Sequence, residues 1–231
     1  MLQHLDKFQM HKKIKIGSLT WNLAGKQPNF SQDFSRLLLP EPQNLSLFSE
    51  GGSGESADNG LPDFYVVGLQ EMVDLGVIGS VVCSKDEERM LQWEQIIKNG
   101  LNKRASTTSK DGSFKYQCLL KKVMFGCFIM LFVREDNLKY IRNMHVVKVK
   151  TGTKGMTANK GSVGLRFNFM DTSFMFMNCH LTSGQKKVKD RLQDISYTFG
   201  ETCNNFFEFN ESGLAPTATG SREYGCNASR F

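Results

Sequence analysis

The chain has 231 residues, 40% hydrophobic and 23% charged, with a formal net charge of +6. That usage excludes a wholly disordered chain, a collagen and a coiled coil, and this length can bury roughly 70% of the surface an unfolded chain exposes. No apolar run approaches the roughly 20 residues that cross a bilayer; the longest, 124–133, is strand-length and contains a glycine. Residues 1–13 are polar and carry no apolar segment, so no secretory signal is visible. A cytoplasmic protein, peripheral on membranes at most, is expected. The cysteines are scattered and form no C-x-x-C pair, which favours reduced thiols over a disulfide framework or a zinc site. The excess of bases admits an anionic partner: a phosphorylated small molecule, a lipid headgroup or a nucleic acid.

In chain order, residues 12–23 alternate around Ile14, Ile16, Leu19 and Trp21 and predict a strand that ends at Asn22. Residues 44–60 are rich in Gly, Ser and Glu and read as a flexible surface insertion. Residues 63–69 form a near-continuous apolar run, as in a strand covered on both faces, with Gln70 and Glu71 at its end. Residues 86–103 predict a helix with acids in its first turn and bases in its last. Strands follow at 115–123 and 125–133, close enough for a tight hairpin, and a third at 138–150. After a Gly- and Lys-rich loop come strands at 162–169 and 173–181, joined by a turn at Met170, Asp171 and Thr172, then a helix to about residue 207. From residue 210 the periodicity disappears, which predicts an unstructured tail. Strands, helix, many strands and helix again predict an α/β (α+β) layered sandwich with largely antiparallel sheets.

Three predicted strands end in polar residues: Asn22, Gln70–Glu71 and His180. Each alone is compatible with a turn asparagine, a solvated acid or a capping histidine. Gathering such groups at strand ends is also how a layered fold assembles a site from distant positions. The chemistry they suit is Mg²⁺-dependent hydrolysis of a phosphate ester. Mg²⁺ takes oxygen ligands, one or two of them carboxylates, and keeps several waters. Glu71 is the candidate carboxylate, Asn22 an amide that orients metal or phosphate, and His180 a hydrogen-bond donor to the phosphoryl group. The loop 148–167 supplies Lys148, Lys150, Lys154, Lys160 and Arg166 with no acid, and Gly152, Gly155, Gly161 and Asn159 for turns. It is either an anion cradle or a solvated turn, and it lacks the Walker A spacing. A second basic group, Lys186, Lys187, Lys189 and Arg191, opens the last helix, where the dipole disfavours positive charge. No aromatics are interleaved with these bases, so nucleic-acid stacking has little support.

The strings SLTWNLAGKQP, DFYVVGLQEMVDL, GMTANKGSVGLRF and FMNCHLTSGQKKVKDRLQD, in this order, resemble the inositol polyphosphate 5-phosphatase family. That family shares the endonuclease/exonuclease/phosphatase superfold with DNase I-like nucleases. The resemblance runs over about residues 12–200 and implies Mg²⁺-dependent removal of the 5-phosphate from phosphoinositides or soluble inositol polyphosphates. By position it implies Asn22 as the active-site Asn, Glu71 as the Mg²⁺ ligand and His180 as the contact to the scissile phosphate. Asn159 and Lys160, with Lys154 in the same loop, fall beside the pocket as substrate-binding residues, and Arg191 is implied to hold the last helix on the sheet. No nucleic-acid partner is implied.

The family continues with a G-D-x-N-x-R motif, a P-x-W-C-D-R-I-L block and a D-H pair, none of which appears in this sequence. The expected organisation is therefore an extension at 1–11, a partial catalytic domain at 12–209 with the insertion at 44–60, and a tail at 210–231. Without the water-positioning Asp of the first motif, the chain is expected to release no phosphate by itself. Two alternatives stay open: a non-catalytic phosphoinositide-binding remnant, and a DNase-like nuclease on the same fold.

Overall fold

A computed structural model describes residues 12–39, 61–72, 81–109, 112–124, 126–151 and 160–207, with the side chains of 81–86 left aside. The expected insertion and tail, together with Lys154 and Asn159, lie outside the described residues.

Strands β1 (Ile16–Asn22), β2 (Phe64–Gln70), β3 (Tyr116–Met124) and β4 (Cys127–Arg134) form one sheet in the order β1-β2-β4-β3. β1 and β2 run parallel, so Asn22 and Gln70 end side by side, and the other pairings are antiparallel. Strands β5 (Ile141–Lys150), β6 (Gly161–Phe169) and β7 (Thr172–His180) form a second, antiparallel sheet in sequence order.

The apolar run of β2 is buried along its whole length, because both faces of the first sheet are covered. Phe64, Val66, Ile129, Leu131 and Val133 face Val163, Leu165, Phe167 and Phe169 of the second sheet. Phe64 meets the ring of Phe167 edge-on, with centroids 5.2 Å apart, a geometry that the ring quadrupoles favour. On the opposite face, Tyr65, Val67, Leu69, Phe128, Met130 and Phe132 pack against helix α2 (Val81–Thr108) through Met90, Trp93, Ile97 and Leu101. Those helix positions recur at three- and four-residue spacing, which builds one apolar stripe. A short helix α1 (Ser35–Leu38) joins this core, and Phe34 and Trp21 meet the ring of Trp93.

The sequence expectation for α2 needs correction. The helix has 28 residues, not the span 86–103, and its first turn contains no acid and its last no base. Neither Gly nor Pro interrupts residues 81–85 or 104–108, so nothing stops the helix at the charged positions, and Ala105 extends the buried stripe. The strand expected at 138–150 begins instead with a 3-10 helix at Glu135–Tyr140. α1 was not anticipated because four residues carry too little periodicity to register.

Helix α3 (Val188–Phe207) packs on β5 and β6. Thr198, Thr202 and Phe206 are buried, whereas Val188, Leu192, Ile195 and Phe199 stay exposed, so its apolar stripe is offset from the face that meets the sheet. Arg191 in its first turn donates to the carbonyls of Gly184 and Thr182 at 2.6 and 3.4 Å, and Asp194 accepts from the N–H and hydroxyl of Thr182 at 2.9 and 2.7 Å. These bonds hold the helix against the loop that leaves β7. The basic cluster is also less unfavourable than the sequence implied: Lys187 pairs with Asp190 at 2.8 Å, and Asp190 places an acid in the first turn.

Among the described residues no helix is long and apolar enough to cross a membrane. Cys118, Cys127, Cys179 and Cys203 are free thiols. Burial pushes Cys127 up to about 12 and also raises Cys179, so neither supplies thiolate at neutral pH.

Candidate functional site

The strand order brings the ends of β1, β2 and β7 to one rim of the sandwich. After β2 the chain turns sharply, and Glu71 takes a left-handed φ of 50°. A non-glycine residue rarely adopts that conformation, which costs about 1–3 kcal/mol and persists where surrounding bonds impose it. Here the Glu71 carbonyl accepts the N–H of Gly25 at 2.8 Å, and the next N–H, from Met72, reaches Gly126 at 3.0 Å.

His180 ends β7, nine-tenths buried, with Nε2 3.7 Å from Glu71 Oε1. The Lys160 ammonium abuts the same Nε2. Lys has only donors, so Nε2 is the acceptor and the ring proton sits on Nδ1. Burial, reinforced by the charge of Lys160, pushes the His180 imidazole below its usual range, and the Glu71 carboxylate opposes that shift only in part. Burial also lowers Lys160, against the attraction of Glu71. His180 is thus held neutral beside an ammonium, and it leaves the negative charge of Glu71 available to a cation.

The sequence leaves Lys160 in a loop that is either an anion cradle or a solvated turn, and the family resemblance puts it beside the pocket; the structure brings it onto His180. Gly161 makes this possible. Its φ is 145°, and a Cβ there would lie 2.0 Å from the Val149 carbonyl oxygen. Gly161→Ala should therefore cost more than about 1 kcal/mol, read as a lower denaturation midpoint in urea. An unchanged midpoint would show that the β5–β6 junction relaxes freely.

Asn22 lies on the same rim, as the register partner of Gln70. Its Oδ1 accepts the Ala24 N–H at 2.9 Å, which leaves a second lone pair and the amide N–H groups for a ligand. The structure thus brings Glu71, His180 and Lys160 into one contact group and puts Asn22 beside it.

Sequence reasoning did not single out Thr20 or Asn178, which lie beneath this group. The signal existed for Asn178: alternation in β7 puts Phe174, Phe176, Asn178 and His180 on one face, so an amide sits where an apolar residue is expected.

Could the rim hold a metal? Among the described residues no three His, Cys, Asp or Glu side chains gather, which excludes a closed all-protein zinc site among them. One carboxylate that is a third exposed, on the rim that also carries Asn22, fits a hard divalent cation that keeps most of its waters.

Two sheets packed face to face, flanked by helices, with a carboxylate, an imidazole and an ammonium at one strand rim, define the endonuclease/exonuclease/phosphatase class. The chain belongs to Endonuclease/Exonuclease/phosphatase family 2, which it matches over residues 19–217. It is 32% identical to human Synaptojanin-2 over 209 residues, covering 88% of this chain and 13% of that protein. Against polyphosphatidylinositol phosphatase INP53 of Saccharomyces cerevisiae it is 35% identical over 191 residues, covering 82% of this chain and 15% of that one. A similar solved structure is the inositol polyphosphate 5-phosphatase domain of SPsynaptojanin in complex with inositol (1,4)-bisphosphate and calcium ion. There the TM-score is 0.63 at 28% identity, over 85% of this chain and 49% of that one. The chain thus spans about half the length of the solved domain and a much smaller share of the curated relatives.

Proposed function

We propose that this chain contributes the Glu71, His180, Lys160 and Asn22 part of a Mg²⁺-dependent site that removes the 5-phosphate from phosphoinositides or soluble inositol polyphosphates. The observation that carries the reading is the contact group of Glu71, His180 and Lys160 at the rim where β2 and β7 end. It is supported by the relative named a polyphosphatidylinositol phosphatase and by the inositol (1,4)-bisphosphate held in the similar solved domain.

Glu71 would hold the metal with the Asn22 amide oxygen beside it. Bound there, the cation supplies Lewis-acid neutralisation of the phosphoryl charge. Lys160 uses its remaining N–H groups to bind a phosphate oxygen. His180 would stay neutral and donate its remaining N–H as charge develops on the phosphoryl oxygens. Lys154 and Asn159 belong to the same proposal as substrate contacts from the loop between β5 and β6. Through its basic loop the protein would meet phosphoinositides at a membrane surface or inositol polyphosphates in solution.

The test is a chimera in which residues 12–207 replace the matching half of the SPsynaptojanin 5-phosphatase domain. Magnesium-dependent phosphate release from inositol 1,4,5-trisphosphate is expected, and it should disappear with His180→Ala. A folded chimera with no release above a magnesium-only blank would overturn the reading.

A further inference from the structure

At the rim lies a polar chain, buried at Gln70 and Asn178 and exposed at Thr20, that the site chemistry does not use. Asn178, on the inward face of β7, donates Nδ2 to the carbonyls of Leu69 and Phe128, both at 2.9 Å. Those two acceptors fix which way the amide faces, so Oδ1 must receive its hydrogen bond from elsewhere. It receives it from Gln70 Nε2, which also donates to Thr20 Oγ1 at 3.0 Å. The chain crosses from β1 through β2 to β7, and so joins the two sheets. Gln70 and Asn178 are both buried.

Two further residues complete this layer. A Cβ on Gly68 would come 2.7 Å from Asn178 Cγ, so only glycine lets the amide reach the β2 backbone without a shift. Cys127 donates its thiol to the Asn178 carbonyl at 3.6 Å.

Each member of the chain lies one or two positions before a site residue. Thr20 is two positions before Asn22, Gln70 is one before Glu71, and Asn178 is two before His180 on the same strand face. The rest of that inter-sheet layer is apolar, Phe174 and Phe176 included. Replacing both partners of a buried hydrogen bond by apolar groups of similar shape is often neutral for stability. Core packing alone therefore gives little reason for the two buried amides Gln70 and Asn178, whereas a satisfied network, anchored at its exposed end by Thr20, rigidifies the groups it joins.

We infer that Thr20, Gln70 and Asn178 form a positioning layer that sets the direction in which Glu71 leaves β2 and fixes His180 against it. They act through those residues and touch no reacting group. The inference deepens the proposed site and rests on that reading for its functional meaning.

The experiment uses the full chain and the variants Thr20→Val, Thr20→Ser and Asn178→Ser. Leu101→Ala serves as a control that weakens the far core at α2. The first readout is the rate of His180 carbethoxylation by diethyl pyrocarbonate, resolved by mass spectrometry at conditions of matched stability. Thr20→Val and Asn178→Ser should raise that rate by about fivefold, the scale set by losing one net hydrogen bond. Thr20→Ser, which keeps the hydroxyl, should return it to the parental value, and Leu101→Ala should leave it unchanged. Equal rates in Asn178→Ser and Leu101→Ala would overturn the inference and leave a purely structural network.

The second readout is calorimetric binding of inositol (1,4)-bisphosphate with magnesium, which Thr20→Val and Asn178→Ser should weaken and Leu101→Ala should not. Failure of the parent to bind would count against the proposed function alone, because the His180 rates still decide the positioning.

Discussion

Asp63→Ala is expected to cost the fold about 3–5 kcal/mol, the range for removing one partner of a buried, hydrogen-bonded ion pair. Asp63 opens β2 at the end opposite the rim and is almost completely buried. Its carboxylate accepts from the Lys15 N–H at 2.9 Å, from Arg134 Nη2 at 3.2 Å and from Asn137 Nδ2 at 2.9 Å. Its backbone N–H and carbonyl bond Lys15 and Arg134, at 2.8 and 3.1 Å. One residue thus joins the segment before β1, the end of β4 and the 3-10 helix. Alanine would remove the carboxylate that accepts from Asn137 and the Lys15 amide and withdraw one counter-charge from Arg134, which keeps Asp136 at 2.7 Å.

Urea unfolding followed by tryptophan emission measures the loss, because Trp93 is buried against Trp21 and Phe34. A change below about 1 kcal/mol would place Asp63 among ordinary surface pairs. Joint replacement of Asp63 and Arg134 by Leu should be milder than Asp63→Ala, since no buried charge of that pair then remains.

Glu71→Gln in the chimera should lower magnesium-dependent phosphate release by at least about a hundredfold, because a metal acting as Lewis acid supplies several kcal/mol of transition-state stabilisation. Glutamine keeps the length and packing of the side chain, but it removes the only carboxylate that stands within ion-pair distance of His180 among the described residues. Initial rates over a magnesium titration give the measurement, and activity within about threefold of the parent, on the scale of a weak second-order contact, would remove Glu71 from the metal site. Glu71→Gly separates function from folding. Glycine adopts a φ of 50° without strain, so this variant should be at least as stable as the parent while losing release to the same degree. Loss of both stability and activity would point to a structural role for the carboxylate.

Much of this architecture was legible locally. Alternation or a continuous apolar run marked all but the ends of β1 to β7, because a strand that buries one or both faces must write that burial into successive residues. The β3–β4 and β6–β7 hairpins followed from the shortness of their connections. The polar strand ends Asn22, Glu71 and His180 stood out for the same reason: each breaks an apolar pattern where the strand stops.

Other features depend on residues far apart in sequence and left no local trace. Lys160 is assigned beside the pocket by the family resemblance alone, and only the β6–β7 register, which pairs Gly161 with His180, shows that it meets the imidazole. Asp63 read as the first residue of a strand run; its partners span the chain from Lys12 to Asn137. The offset of the α3 stripe from the sheet it covers was equally hidden, since helical periodicity gives the width of an apolar face and not the direction it points. Sequence by itself determined which segments are strands and helices and which polar groups end them, because those depend on periods of a few residues. Tertiary structure alone decided which of those groups touch, because β2 and β7 meet through Gln70 and Asn178 across 108 positions, and no local pattern carries information over that separation.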